Sequence, residues 1–155
     1  MDPNLRTKIL RLLDEHRILS LATLRPDGWP QATTVGYVSE GLRIFFICGR
    51  ESQKAANIAH DNRVSLTIDR DVADPLAIRG LSMAANALPM NDGETIRRVT
   101  TELLPKKYPE YVPSMNEADL AQMAIYAVVP RVISVLDYSL GFGHSDLVEV
   151  EPSDL

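Results

Sequence analysis

The stretch Phe45-Phe46-Ile47-Cys48-Gly49-Arg50-Glu51-Ser52-Gln53-Lys54 decides how the chain is read. A hydrophobic strand ends there in a short turn holding Gly49, Arg50 and Ser52, and a helix opens with Lys54 in its first turn. Backbone donors, a hydroxyl and two cations converge at one spot, which makes a natural seat for a phosphate.

Upstream of that stretch the pattern is strand and turn. Ile18 to Leu24 is apolar and β-branched, and Arg25-Pro26-Asp27-Gly28 is a turn with Pro early and Gly late. Trp29-Pro30 leads into a second strand, Gln31 to Val38; Ser39-Glu40-Gly41 turns the chain, and Leu42 to Cys48 is a third strand. Three strands joined by short turns form an antiparallel meander. Ahead of them, residues 3 to 16 read as a helix capped by Asp2, with Leu5, Ile9, Leu12, Leu13 and His16 on one face.

Downstream, the helix over 52–60 is expected to turn Ala55, Ala56, Ile58 and Ala59 inward. Arg63 to Ile68 alternates as a half-buried strand. Leu76 to Leu88 reads as a long strand in which Gly80 marks a bulge or a close backbone approach, with a helical reading of Ser82 to Leu88 left open. Asn91 and Glu94 form a capping pair for a helix that Pro105 stops. Lys106 to Met115 reads as irregular connection, and Glu117 to Gln122 as a short helical turn. Ile125 to Val129 and Arg131 to Tyr138 are the last strands, split by Pro130, and the stretch Ser139 to Asp146 reads as a loop. At least six meandering strands with a few short helices predict a mainly β fold, a closed antiparallel barrel with helical additions. A barrel of that size fills its own interior, so a sizeable ligand belongs on its outside or at a subunit interface.

Composition narrows the partners. At 155 residues a single domain over 1–155 is expected, and 45% hydrophobic with 24% charged residues suits an ordinary globular chain. The lone Cys48 excludes an internal disulfide, and no zinc-type Cys/His spacing occurs. A net charge of −5 with scattered Lys and Arg argues against nucleic acid. No signal peptide and no membrane-length apolar run is present, so a cytoplasmic protein without a membrane partner is expected.

The order of these motifs resembles the pyridoxamine 5′-phosphate oxidase-like split barrels. Carrying the likeness are Pro26-Asp27-Gly28-Trp29-Pro30, Thr33-Thr34-Val35, Phe45-Phe46-Ile47-Cys48, Ser52-Gln53-Lys54, and the closing run Arg131 to Tyr138. The resemblance implies a homodimer that binds FMN in two clefts between subunits. It implies that Gln31 to Gly36, with Thr33, Thr34 and Val35 at its centre, lies along the flavin mainly through backbone. Ile47, Cys48 and Gly49 would flank the ring, and Ser52, Gln53 and Lys54 would surround the phosphate. Gln53 stands where many members carry Arg, and Arg50 offers a guanidinium in its place. The Trp and Arg pair that the vitamin-forming oxidase carries near its C-terminus has no counterpart, because Trp29 is the only tryptophan. The likeness therefore implies the fold rather than that enzyme's substrate.

Each of these residues also has a plainer reading. Ser52 serves as a helix cap with or without a phosphate, Lys54 and Arg50 could be solvated, and Thr33 and Thr34 suit any strand. Cys48 reads as a small buried strand-end residue, and His60 as structural. His144, in Gly-Phe-Gly-His-Ser-Asp, would be the residue to test as a haem ligand. Four readings follow: an FMN oxidoreductase using NAD(P)H and a small organic molecule, a deazaflavin-dependent relative, a flavin- or haem-binding carrier, sensor or stress protein, or a scaffold that has lost its cofactor. A flavin carries its own redox chemistry, so no acid–base dyad is required of the chain and no catalytic side chain is assigned.

Overall fold

The computed structural model describes residues 1–110 and 121–155. Helix α1 (Pro3–Glu15) leads into β1 (Ile18–Leu24), β2 (Pro30–Glu40) and β3 (Arg43–Gly49), followed by α2 (Gln53–His60), β4 (Arg63–Ile68) and β5 (Arg79–Pro89). An arm of α3 (Gly93–Arg98), a π turn (Val99–Leu103) and α4 (Leu104–Lys107) precedes β6 (Met123–Asp137) and β7 (Ser145–Glu149). The sheet runs β3-β2-β1-β4-β5-β6-β7, and β3 also pairs with β6, so six strands close an antiparallel barrel and β7 is added outside the ring.

The β3–β6 pairing closes the barrel, and inward side chains from its strands fill it. Leu19 and Leu21 of β1, Tyr37 of β2, Ile44 and Phe46 of β3, Leu66 and Ile68 of β4 and Ile133 and Val135 of β6 form one core, and α1 adds Ile9, Leu12 and Leu13. Asp2 caps α1 by accepting from the Asn4 and Leu5 N–H groups at 3.0 Å. A buried charge cluster fastens the far end of β6 to α1. Asp137 accepts from Lys8 Nζ at 2.6 Å and from Ser139 Oγ at 2.5 Å, and these donors hold its carboxyl down at about 2.

Several sequence expectations are corrected. The segments around Pro130 are one strand, because Pro130 falls where β6 changes neighbours: β3 pairs with it up to Val128, β7 from Val132. Arg131 is the extra residue of a bulge opposite Ala84 and Ala85, so the missing proline N–H lies in a gap between ladders. Pro105 does not stop the arm. Its ring would crowd the carbonyl four residues back, and the wider π turn just before it makes room for α4 to follow. The cap of α3 is Asp92, which accepts from Thr95 N at 2.9 Å, rather than Asn91. Ser139 to His144 is turn and 3-10 helix, in keeping with a loop, but Ser145 and Asp146 already open β7, which pairs with β6. Ser82 to Leu88 is strand, and Gly80 marks a close approach: a Cβ there would sit 2.5 Å from the Ile68 carbonyl oxygen. In α2 the buried residues are Ala55, Asn57 and Ile58, while Ala56 and Ala59 face outward. The expectations for residues 111–120 lie outside the described residues.

The outer face of the barrel has its own order. Thr34, Ser20, Thr67 and Ser82 stand in one transverse row across β2, β1, β4 and β5, and Ala32, Ala22, Ser65 and Ala84 in the next. Both rows are small and uncharged, so this part of the sheet is flat.

Candidate functional site

The turn between β3 and α2 is held from three sides. Ser52 N donates to the Gly49 carbonyl at 3.0 Å, and Ser52 Oγ caps the helix by accepting from Ala55 N at 3.2 Å. Arg50 donates from its backbone to Gln122 O at 2.9 Å and from Nε to Ala121 O at 3.1 Å, which fastens the turn to the chain entering β6. Lys54 is half-buried and has no carboxylate partner among the described residues. The helix start therefore keeps the partial positive charge of its first N–H groups beside an unpaired ammonium.

Behind this turn lies a polar knot that the sequence did not reveal. Gln53 Nε2 donates to Asn57 Oδ1 at 2.8 Å. Asn57, fully buried, donates in turn to Thr23 Oγ1 at 2.9 Å and to Gln31 Oε1 at 3.0 Å. A buried amide is tolerated only with its hydrogen bonds made, and here they tie the helix start to β1 and to the first turnward residues of β2. The one available signal was a polar residue at the helix position otherwise reserved for packing.

Beside the knot, β2 changes partners. Pro30 to Gly36 pairs with β1, whereas Tyr37 to Glu40 pairs with β3. The first half of β2 thus has an edge open toward the end of β3, where Ile47 to Gly49 pairs with β6. Tyr108 of the arm plugs the point of change. Its hydroxyl accepts from Tyr37 N at 2.9 Å and lies against the main-chain oxygens of Tyr37 and Arg17. Gly36 permits this, since a Cβ there would meet the Tyr108 hydroxyl at 3.1 Å. Next to it, Lys107 Nζ donates to Leu13 O at 2.7 Å and sits 4.0 Å from the centre of the Tyr37 ring. Desolvation, helped by nearby Arg17 and opposed by Asp14, pulls the Lys107 ammonium down to about 8.

Between the arm and the outer face of β2 and β3 is a cavity of about 440 Å³. Gly36, Val38, Phe45, Ile47, Leu104 and Tyr108 form much of its wall, and Cys48 and Gly49 border it. The barrel interior itself is filled by core side chains.

A family model described as pyridoxamine 5′-phosphate oxidase matches residues 5–136. The chain belongs to that family. Among solved structures, a candidate pyridoxamine 5′-phosphate oxidase from Listeria innocua is 20% identical with a TM-score of 0.70, covering 86% of this chain and 98% of its own. A conserved hypothetical protein from Mycobacterium tuberculosis is 25% identical with a TM-score of 0.73, covering 100% and 95%. HutZ, a haem storage protein from Vibrio cholerae, is 20% identical with a TM-score of 0.68, covering 81% and 89%. A search of curated proteins gives no match. The fold is the family's split barrel, and haem-binding proteins share it alongside oxidase-like ones.

Within this family fold the residues singled out from the sequence divide into three groups. Gly49, Arg50, Ser52 and Lys54 gather at the turn; Gln53 is beside them, with its amide directed to Asn57. Thr33 and Thr34 lie on the open half of β2, Thr34 outward and Thr33 inward. Val35 and Cys48 are buried with their side chains in the barrel core, so only their main chain can reach a ligand. His144 is at the opposite end of β6 from the cavity, next to β7, with Nε2 3.5 Å from Asp146 Oδ2. No helix among the described residues is long and apolar enough to cross a membrane, and none of the described His, Cys, Asp and Glu residues cluster as a metal site.

Proposed function

We propose that the chain is an FMN-dependent oxidoreductase, acting as a homodimer in the cytoplasm, that passes a hydride or electrons between a nicotinamide donor and a small organic molecule. One observation carries this reading. A cationic helix start and an open strand edge adjoin an apolar cavity on the outside of a filled barrel. Those are the three surfaces a phosphorylated, amide-edged, aromatic group requires.

The donor set fits FMN. Ser52, Lys54 and the first N–H groups of α2 would hold the phosphate, with Arg50 at the turn as a second cation. The main chain of Thr33, Thr34 and Val35 would meet the ring edge, and that of Cys48 and Gly49 its other side. When bound, FMN supplies the two-electron chemistry. The chain's own work is to bind, to orient and to exclude water, and the arm carries Tyr108 over the cavity for that purpose. The flat rows led by Thr34 and Ala32 support a second subunit packing there, because small uncharged side chains let another surface approach closely.

The absorption spectrum of the purified protein tests the reading, taken alone, after FMN, and after NADPH. Flavin bands that bleach with NADPH are expected; no chromophore even after FMN would overturn the cofactor and point to a deazaflavin or an empty scaffold. Dilution below the dimer's dissociation range should release FMN, and a monomer that keeps its flavin would contradict a shared cleft. The likeness to a haem storage protein supports a second reading, a haem-binding carrier. A Soret band lost in His144→Ala would favour it.

A further inference from the structure

We infer that the molecule this site acts on is uncharged and largely apolar, and that it lodges between the β2–β3 face and the arm; its role as a reactant rests on the flavin reading above. The cavity extends past the predicted flavin path. Gly36, Ile47, Cys48 and Gly49 belong to both, whereas Val38, Phe45, Val99 and Leu104 lie beyond that path. No charged side chain of the described residues lines it.

The cations nearest along the arm are committed elsewhere. Arg98 pairs through Nη2 with Glu40 at 2.8 Å, its buried Nε left without a partner and outside the cavity wall, and Lys107 is turned to Leu13 O and the Tyr37 ring. Arg50 is held at the turn by the Ala121 carbonyl. Tyr108, the one side-chain hydroxyl in the wall, is spent on the main chain of Tyr37 and Arg17. An anion entering here would lose hydration and meet no counter-charge on the described wall. An uncharged ring system loses little hydration and gains the contact of Phe45, Ile47 and Leu104. At about 440 Å³ the space suits a small organic molecule. A phosphorylated substrate is thereby disfavoured, since Lys54 and Arg50, the cations assigned to a phosphate, are at the helix start and its turn and neither lines the cavity.

Equilibrium dialysis of the full chain loaded with FMN tests this with two probes of one skeleton, 2-acetylnaphthalene and 2-naphthoate. The first is uncharged and the second an anion at neutral pH. The uncharged probe is expected to bind at least tenfold more tightly. Leu104→Lys should erase or reverse that preference while FMN retention and the circular dichroism spectrum stay unchanged; Met123→Lys gives the same test from the strand side should the arm variant not fold. Equal or tighter binding of 2-naphthoate by the unaltered chain overturns the inference, as does a preference untouched by either lysine. FMN retained with neither probe bound overturns it too and leaves the flavin reading standing. The tenfold preference in a chain that never takes up FMN refutes the flavin reading and upholds the uncharged pocket.

Discussion

At the start of α2 the uncharged polar side chains are answered, Gln53 by Asn57, Asn57 by Thr23 and Gln31, and Ser52 by the Ala55 N–H, while Lys54 stays unpaired among the described residues. A few residues back along β3, the wall under the arm is Phe45 and Ile47 facing Val99 and Leu104, and its single hydroxyl is used to hold main chain. The two regions share the turn at Gly49 yet differ in what they can stabilise. Oriented donors and Lys54 favour negative charge at the helix start, whereas no described side chain lining the cavity can neutralise one. One ligand with a charged end and a neutral end, or two ligands side by side, satisfies both.

The largest effect expected is at the knot. Asn57→Ala leaves the buried Thr23 hydroxyl without its donor and releases the part-buried amides of Gln31 and Gln53, and urea unfolding should report a loss of about 2–4 kcal/mol. A loss under half a kcal/mol would mean that the knot is not what rigidifies the helix start. Lys54→Ala should weaken FMN retention by about 1.5–3 kcal/mol, the scale of a charge-assisted hydrogen bond, with stability little changed. Unchanged affinity would remove the phosphate from this end and dissolve the contrast.

On the apolar side, Tyr108→Phe keeps the ring and removes the plug at the β2 partner change. It should cost about 1–2 kcal/mol and speed hydrogen exchange at Tyr37 N–H, which loses a partner. The smallest effect concerns Lys107. Its folded value, about 8, lies below the ordinary lysine value, so between about pH 8 and 10 the folded chain holds fewer protons than the unfolded one. Stability should therefore rise with pH across that window, and Lys107→Met should flatten the slope. A wild-type curve without that rise would show that the ammonium is solvated and that the arm sits more loosely on Leu13 and Tyr37.

Much of this could be read before any coordinates. Arg63 to Ile68 alternates so cleanly that its bounds are those of β4, and Asp2 and Ser52 act as the caps their types suggest. The order of motifs led to the right family and fold. The departures share a cause. Pro130 and Pro105 were read as breaks because a local rule charges each proline for a missing N–H, but the cost depends on whether a partner was waiting for it. At Pro130 the neighbouring strands have changed over, and at Pro105 a π turn absorbs the ring. Asn57 was passed over for Ala56 and Ala59 because no helical period reveals that Thr23 and Gln31 wait across the gap.

The sequence by itself determined the local choices: which residues alternate, where the turns fall and what caps the first two helices. Such choices depend on neighbours within a few positions. Only the tertiary structure decided that β3 closes on β6, that β2 leaves its first half open, and that the arm lies across Val38 and Phe45 to enclose an uncharged space. Those outcomes rest on pairings between segments tens of residues apart, where packing and the remaining hydrogen-bond partners choose among arrangements that local propensity leaves equal.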